Sequence, residues 1–346
     1  MAIQRAVSHN KASTAEAVKV TIQTADGYDD SSVSVDESYK GLKAGGNIEL
    51  VSDTITINSA GDSVHANGNV TLSGAIVTAQ SGDDGVHADD TTTISDGIVT
   101  IQNSYEGLEG SVVAISGGTV SVTASDDGIN AAGGSDSSSG GQFGQDSFGG
   151  GGESSDDSKE ITITGGTITI DAEGDGLDSN GNIKMSGGTV AVYGPTQGGN
   201  GALDYNGDFT LMGGTLVASG TTDMAENVSD KSTVTSVGIY FDSTQSVDTL
   251  ISLKDSTGNT IIAVSLTKEF QHLVIATVKL STNESYVLVK GGTLSGDATN
   301  GLSVDGIVSG GTQLGTLDLT STVTNVSQDG SAASTNSFGG GGRGRN

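Results

Sequence analysis

Five carboxylates recur along this chain at a nearly constant interval. Asp62, Asp84, Glu106, Asp127 and Asp175 are separated by 22, 22, 21 and 48 residues. Each precedes a small residue (Ser63, Gly85, Gly107, Gly128, Gly176) and then an aliphatic one (Val64, Val86, Leu108, Ile129, Leu177). Stacked carboxylates at a fixed spacing have two kinds of chemistry open to them. They can hold oxygen-seeking cations, for which Ca2+ with carboxylate ligands at about 2.3–2.6 Å is the natural case. They can also act in pairs as acid and base on a glycosidic bond. Between Glu49 and Ser158 there is no Lys or Arg, so this stretch carries no cationic side chain of its own.

The interval identifies the element that positions them. A period near 22 residues marks a solenoid, in which each repeat stacks on the next. Short Val/Ile/Thr strings such as Ile161–Ile163 and Val190–Val192 read as strands. Gly-Gly-Thr turns at 117–119, 165–167, 187–189 and 213–215 supply corners where glycine is needed. The expected fold is all-β: a right-handed parallel β-helix of about seven rungs, roughly 34 Å long at the strand spacing of a sheet.

The 48-residue step is one period plus an insertion at 133–158, a Gly/Ser/Asp-rich string expected to loop out. The expected organisation is an N-terminal tail at 1–17, the β-helix over 18–230 and an antiparallel β unit over 231–326. That unit would cap the exposed last rung. A disordered tail is expected over 327–346.

Reading down the columns places the candidate ligands. The aliphatic residue points inward, so its neighbours point outward along one edge. Just before each anchor lie the acids, with Asp83 and Asp126 one place further back. Just beyond lie Lys43, His65, His87, Glu109, Asn130 and Asp178, with Asp204 as the shifted equivalent. The predicted calcium ligands are Asp62, Asp83, Asp84, Glu106, Asp126, Asp127, Asp175 and Asp178; the alternative is a solvated acidic ladder without metal. Zinc is disfavoured, because Cys is absent and no two histidines and a carboxylate lie close in sequence. The run Gly174-Asp175-Gly176-Leu177-Asp178 matches part of a nonapeptide calcium repeat, but the period is 22 rather than 9. For sugar contact, Tyr39 and Tyr105 share a column and Tyr193 and Tyr205 flank the segment 194–207. A tyrosine offers a flat apolar face and a polar tip. His87 and Asp204 complete that set.

The chain has 42 acidic and 14 basic residues, a net charge of −28, which excludes nucleic acid as a partner. No apolar run of about 18 residues is present, so membrane insertion is not expected. A monomer is expected. The first residues lack the apolar stretch of a signal peptide, and a piece of a longer exported protein is anticipated.

Four strings in order, at 104–110 (SYEGLEG), 125–134 (SDDGINAAGG), 174–181 (GDGLDSNG) and 194–207 (GPTQGGNGALDYNG), resemble the bacterial carbohydrate-binding β-helix proteins of clostridial type. The likeness runs from about residue 39 to 290. It implies a polysaccharide-lyase-like fold, a secreted or surface-attached location and bound calcium. It also implies binding of cellulose or acidic pectic polymers without catalysis. The alternatives are a calcium-dependent polysaccharide lyase and a structural surface rod or adhesin. A lyase needs a Lys or Arg base beside its calcium, and the acid column lacks one in its own stretch.

Overall fold

Parallel backbone pairing sets the architecture. A computed structural model describes residues 19–30, 32, 39–132, 155–299, 301–304 and 306–333. The expected tail at 1–17 and all but the end of the 133–158 loop lie outside these residues.

Among the described residues there is no helix, so none is long and apolar enough to cross a membrane. The chain winds through about seven turns with three walls. The first wall contains Leu42–Ala44, Val64–Ala66, the starts of Val86–Asn103 and Leu108–Ile115, then Ile129–Ala131, Leu177–Ser179 and Leu203–Tyr205. The second runs from Ile48–Leu50 to Glu160–Ile163, Asn182–Met185 and Phe209–Leu211. The third runs from Lys19–Gln23 and Thr54–Ser59 to Thr119–Ala124, Thr167–Ala172, Thr189–Tyr193 and Thr215–Gly220.

The register follows the predicted columns. Leu42, Val64, Val86, Leu108, Ile129, Leu177 and Leu203 pair in sequence, all parallel. Ile129 lies against Leu177 although 48 positions separate them, so the insertion leaves the stack undisturbed. From Val64 onward this column is at most 1% exposed. A one-residue slip would turn all of it to solvent, which is why the register is strongly specified.

Two kinds of glycine hold the corners. In the Gly-Gly-Thr turns the second glycine adopts a positive φ: 81° at Gly118, 90° at Gly166, 84° at Gly188 and 88° at Gly214. The anchor glycines serve another purpose, close packing. A Cβ on Gly107 would lie 2.2 Å from both the Gly128 carbonyl oxygen and Val122 Cγ1.

The last turn does not end in an open edge. Thr215–Gly220 pairs antiparallel with Phe270–Thr277, which also pairs with Ser236–Gln245. A five-stranded antiparallel sheet completes the C-terminal unit. Its core includes Ala191, Tyr193 and Val217 from the outer face of the third wall. The unit therefore flanks the solenoid as well as covering its end. The expected disorder from 327 onward is corrected as far as 333. The strand Val323–Ser327 pairs with Ser236–Gln245, and Val326 bridges to Ala332. A turn closes this segment, with Asp329 Oδ1 accepting from the Ser331 amide at 2.8 Å. Gly/Ser composition alone misses that closure. Residues 334–346 lie outside the described residues.

Adding a methyl at Gly107 forces either a backbone carbonyl or a core valine to move. Gly107→Ala is expected to destabilise by about 1–3 kcal/mol, the usual range for overpacking. Gly45→Ala, where a Cβ meets nothing within 4 Å, serves as the neutral control. Thermal melts of the two variants check this; equal melting temperatures would contradict it.

Candidate cation ladder and ligand surface

The acid column is held by the corner backbone. The amides of Gly41, Ser63, Gly85, Gly107 and Gly128 donate to the carbonyls of Asp62, Asp84, Glu106, Asp127 and Asp175 at 2.8–2.9 Å. Each acid therefore lies one rung from the next, as the interval predicts. Three acids of the column and Asp178 across from it are covered, while Glu106 and Asp175 are half-buried. Asp62 is 0% exposed, Asp84 6%, Asp127 2% and Asp178 8%. The outward columns on either side of the aliphatic residue reach one another across it, as His87 does toward Asp84.

The lower part of the ladder is built around Asp127. Its Oδ1 accepts from the Asp175 amide at 2.6 Å. Its Oδ2 is buried with no hydrogen-bond partner. Asp175 Oδ1 in turn accepts from the Gly201 amide at 2.5 Å. The packing is tight here: a Cβ on Gly174 would lie 2.4 Å from Asp127 Oδ1 and 2.5 Å from Asp126 Oδ1, so only glycine lets both carboxylates lie this close to the chain. Burial, then the charges of Asp178, Asp175 and Asp126, push the Asp127 carboxyl up to about 9. A buried, unpartnered oxygen among carboxylates costs free energy until something positive meets it. These carboxylates come from two adjacent rungs, whereas the sets of three ligand atoms within 4.8 Å of one another among the described residues lie higher up: Asp62, His65 and His87; Asp84, His87 and Glu109; and Asp62, Asp83 and Asp84.

The upper part is chemically different. Lys40 Nζ lies 2.6 Å from Asp62 Oδ2 and 3.0 Å from His65 Nδ1, and His65 Nδ1 is 2.6 Å from the same Asp62 oxygen. Burial pushes Asp62 up, but the His65 hydrogen bond and the Lys40 charge outweigh it and hold the carboxyl below its usual range. Asp62 is thus engaged by a buried ammonium, while its carboxylate also lies within 4.8 Å of ligand atoms of Asp83 and Asp84. Burial, helped by the neighbouring Asp62, Glu109 and Asp83 charges and opposed by the His87 hydrogen bond, pushes Asp84 well above the carboxylate range. His87 Nδ1 lies 3.3 Å from Asp84 Oδ2 and also contacts Glu109 Oε2, while Nε2 lies 3.2 Å from Asp89 Oδ1. Burial works against the charged imidazole, but its hydrogen bonds to Asp84 and Glu109 push it up to about 12. The His65 and His87 rings stack at 4.6 Å and 8°. Column positions alone set the histidines apart from the acids; stacking of rungs brings them into contact.

The sugar candidates divide. Tyr39 and Tyr105 are half-buried on the ladder edge, and Tyr105 hydrogen-bonds Asp126. Tyr193 is 4% exposed and packs in the C-terminal core, with an edge lining the cleft between that unit and the third wall. His87, at 1% exposed, is corrected as a sugar contact. Tyr205 is half-buried against Phe209, and its hydroxyl donates to the Asn227 carbonyl at 2.6 Å. Asp204 is half-buried, and burial raises its carboxyl. Glu226 escaped sequence reading because it lies outside the repeats. Burial, then Asp204 and Asp175, push it up to about 7.

Another surface emerges only in three dimensions. Thr56, Thr78, Thr100, Ser121 and Thr169 stack in register on the outer face of the third wall. The C-terminal unit closes a cleft of about 260 Å³ at one end of this ladder, whose lining includes Ser121, Thr123, Thr169, Asp171 and Thr267 together with Val122 and the sequence-predicted Tyr193. A flat row of hydroxyls can hydrogen-bond a neutral glycan.

The sign of the pH effect at Asp127 follows from linkage. An unfolded aspartate loses its proton near 3.9, whereas folded Asp127 keeps it to about 9. The folded chain binds more protons between those values, so this contribution to stability falls as pH rises through the window. With chelator present, the melting temperature of the parent chain is expected to fall more steeply between about pH 5 and pH 8 than that of Asp127→Asn. Asp127→Asn is expected to melt higher at the alkaline end. Parallel profiles for the two proteins would contradict this.

A family model described as "Carbohydrate-binding domain-containing protein" matches residues 1–85 and 76–198, together 198 of the 346 residues. No curated protein and no solved structure shows a significant match. The matched span holds six of the first-wall strands and the acid column that they carry. By that match the chain belongs to the carbohydrate-binding domain-containing family.

Proposed function

We propose that this protein is a noncatalytic, calcium-loaded module that binds plant cell-wall-type polysaccharide, cellulose or acidic pectic polymers, outside the cell or at its surface. The observation that carries the calcium reading is the buried Asp127 Oδ2, which has no hydrogen-bond partner although the carboxylates of Asp126, Asp175 and Asp178 surround it. In this reading Asp126, Asp127, Asp175 and Asp178 hold the ion. Calcium neutralises part of the ladder and offers remaining coordination positions to a ligand.

Charge decides how an acidic polymer would bind. A protein of net charge −28 repels a polyuronate. Calcium between protein and sugar carboxylates reverses the local sign. A neutral glucan needs no such bridge; the hydroxyl ladder of the third wall and the exposed parts of Tyr39 and Tyr105 suit it. Lyase chemistry is the weaker reading, because a free basic side chain beside calcium is required. Lys40 is buried in its ion pair with Asp62, and Lys184 pairs with Glu160 on the second wall.

Sedimentation with insoluble cellulose and with calcium pectate gel tests the proposal, in calcium and in EDTA. Pectate binding is expected in calcium and not in EDTA, with Asp127→Asn at least about tenfold weaker, the size of a lost ligand interaction of about 1.4 kcal/mol. Cellulose binding is expected to survive EDTA and to fall in Thr100→Arg. Failure to bind either polymer in either buffer contradicts the proposal. Release of unsaturated sugar from pectate would establish the lyase reading instead.

A further inference from the structure

The two ends of the ladder carry different donors. Beyond the anchor, one in-register column presents His65 and His87 near the first turns, Glu109 and Asn130 midway, and Asp178 and Asp204 at the far end. Histidine nitrogens therefore occur only in the upper part of this column. They arise from one motif used twice at a spacing of 22: Asp62-Ser63-Val64-His65 and Asp84-Gly85-Val86-His87.

We propose that Asp84, His87 and Glu109 form a mixed nitrogen–oxygen site for Zn2+ or a similar borderline divalent cation, chemically separate from the oxygen-only site at Asp127. The three ligand atoms lie within 4.8 Å of one another, and the residues are 6%, 1% and 7% exposed. Tetrahedral zinc with ligands at about 2.0–2.1 Å places neighbouring ligand atoms about 3.3–3.4 Å apart. His87 Nδ1 and Asp84 Oδ2 are 3.3 Å apart. Glu109 Oε2 contacts the same nitrogen more closely than two ligands of one ion can lie, so the Glu109 side chain has to turn aside for the ion to enter.

The other ring nitrogen supports the assignment. His87 Nε2 lies 3.2 Å from Asp89 Oδ1. That carboxylate accepts the Nε2–H, so the proton that Nδ1 shares with Asp84 and Glu109 is the one a metal ion replaces, leaving the Nδ1 lone pair toward those two side chains. Metal-bound histidines are commonly oriented by a carboxylate in this way. The stacked His65 ring, 4.6 Å away, fixes the plane. Two carboxylates and a neutral imidazole together carry the charge that a divalent cation cancels.

Competing occupants are distinguishable by chemistry. Calcium prefers six to eight oxygens, and this site offers a nitrogen in a buried corner. The related group Asp62, His65 and His87 already holds the ammonium of Lys40 at 2.6 Å from Asp62. A proton on His87 Nδ1 is the remaining competitor. Zn2+ has to displace that proton, so binding is expected to release a proton and to tighten as pH rises.

The test uses the full chain, stripped with chelator and titrated with Zn2+ in a large excess of Ca2+. One equivalent of zinc is expected to bind despite the calcium. Asp89→Asn, acting only through His87, is expected to weaken it about 10–100-fold, with His87→Gln and Glu109→Gln weaker still. Asp127→Asn is expected to leave it unchanged. Nitrogen-15 NMR of the unmodified chain gives a reading independent of any variant: zinc should shift the Nδ1 resonance of one histidine and leave its Nε2 protonated. The proposal is overturned if zinc is not retained in calcium, if both ligand variants retain it fully, or if no histidine Nδ1 responds.

Discussion

Parallel pairing with a fixed register places like side chains on like. Neighbouring strands lie about 4.8 Å apart, so a residue type repeated every 22 positions becomes a column at that spacing. For aliphatic residues this is favourable, and Val64, Val86, Leu108, Ile129 and Leu177 form a dry interior with no exposed surface. For carboxylates the same rule is costly. Two charges at that distance repel by on the order of 1 kcal/mol in water and more when buried. The acid column and the core column are neighbouring positions of one chain segment, so the register that stacks the one also stacks the other.

The repulsion is met differently along the ladder. At the first turns a buried ammonium, Lys40, and an imidazole, His65, converge on Asp62. At the next turns His87 lies among Asp84, Glu109 and Asp89. Further along, Asp127 has backbone amide support on one oxygen and none on the other. The cationic side chains run out where the oxygen-only cluster begins. That gradient makes the lower turns the place where an external cation would contribute most, and it separates them from the upper turns in ligand chemistry.

Much of the fold was legible because it is periodic. The pairing of Ile129 with Leu177 across the insertion follows from counting alone, as do the positive-φ glycines at Gly118, Gly166, Gly188 and Gly214. The acid column was legible for the same reason. Its burial was not, because whether a column is covered depends on the columns beside it. The reach of Lys40 to Asp62 was missed because it crosses a rung. The covering of Tyr193 was missed for a related reason: strands some 50 to 125 residues later dock over it. Glu226 and the threonine ladder carry no local motif; one lies outside the repeats, and the other looks like ordinary strand composition until the walls are stacked.

The central claim is that the ladder around Asp127 is completed by calcium. The most direct measurement is a crystal structure grown in calcium, with the ion located by its anomalous scattering at long wavelength. The account predicts a peak about 2.3–2.6 Å from Asp127 Oδ2, shared with an oxygen of Asp175 or Asp178 from the adjacent turn. Well-resolved density there that shows Asp127 Oδ2 bonded to protein or water, with no anomalous peak, would contradict it.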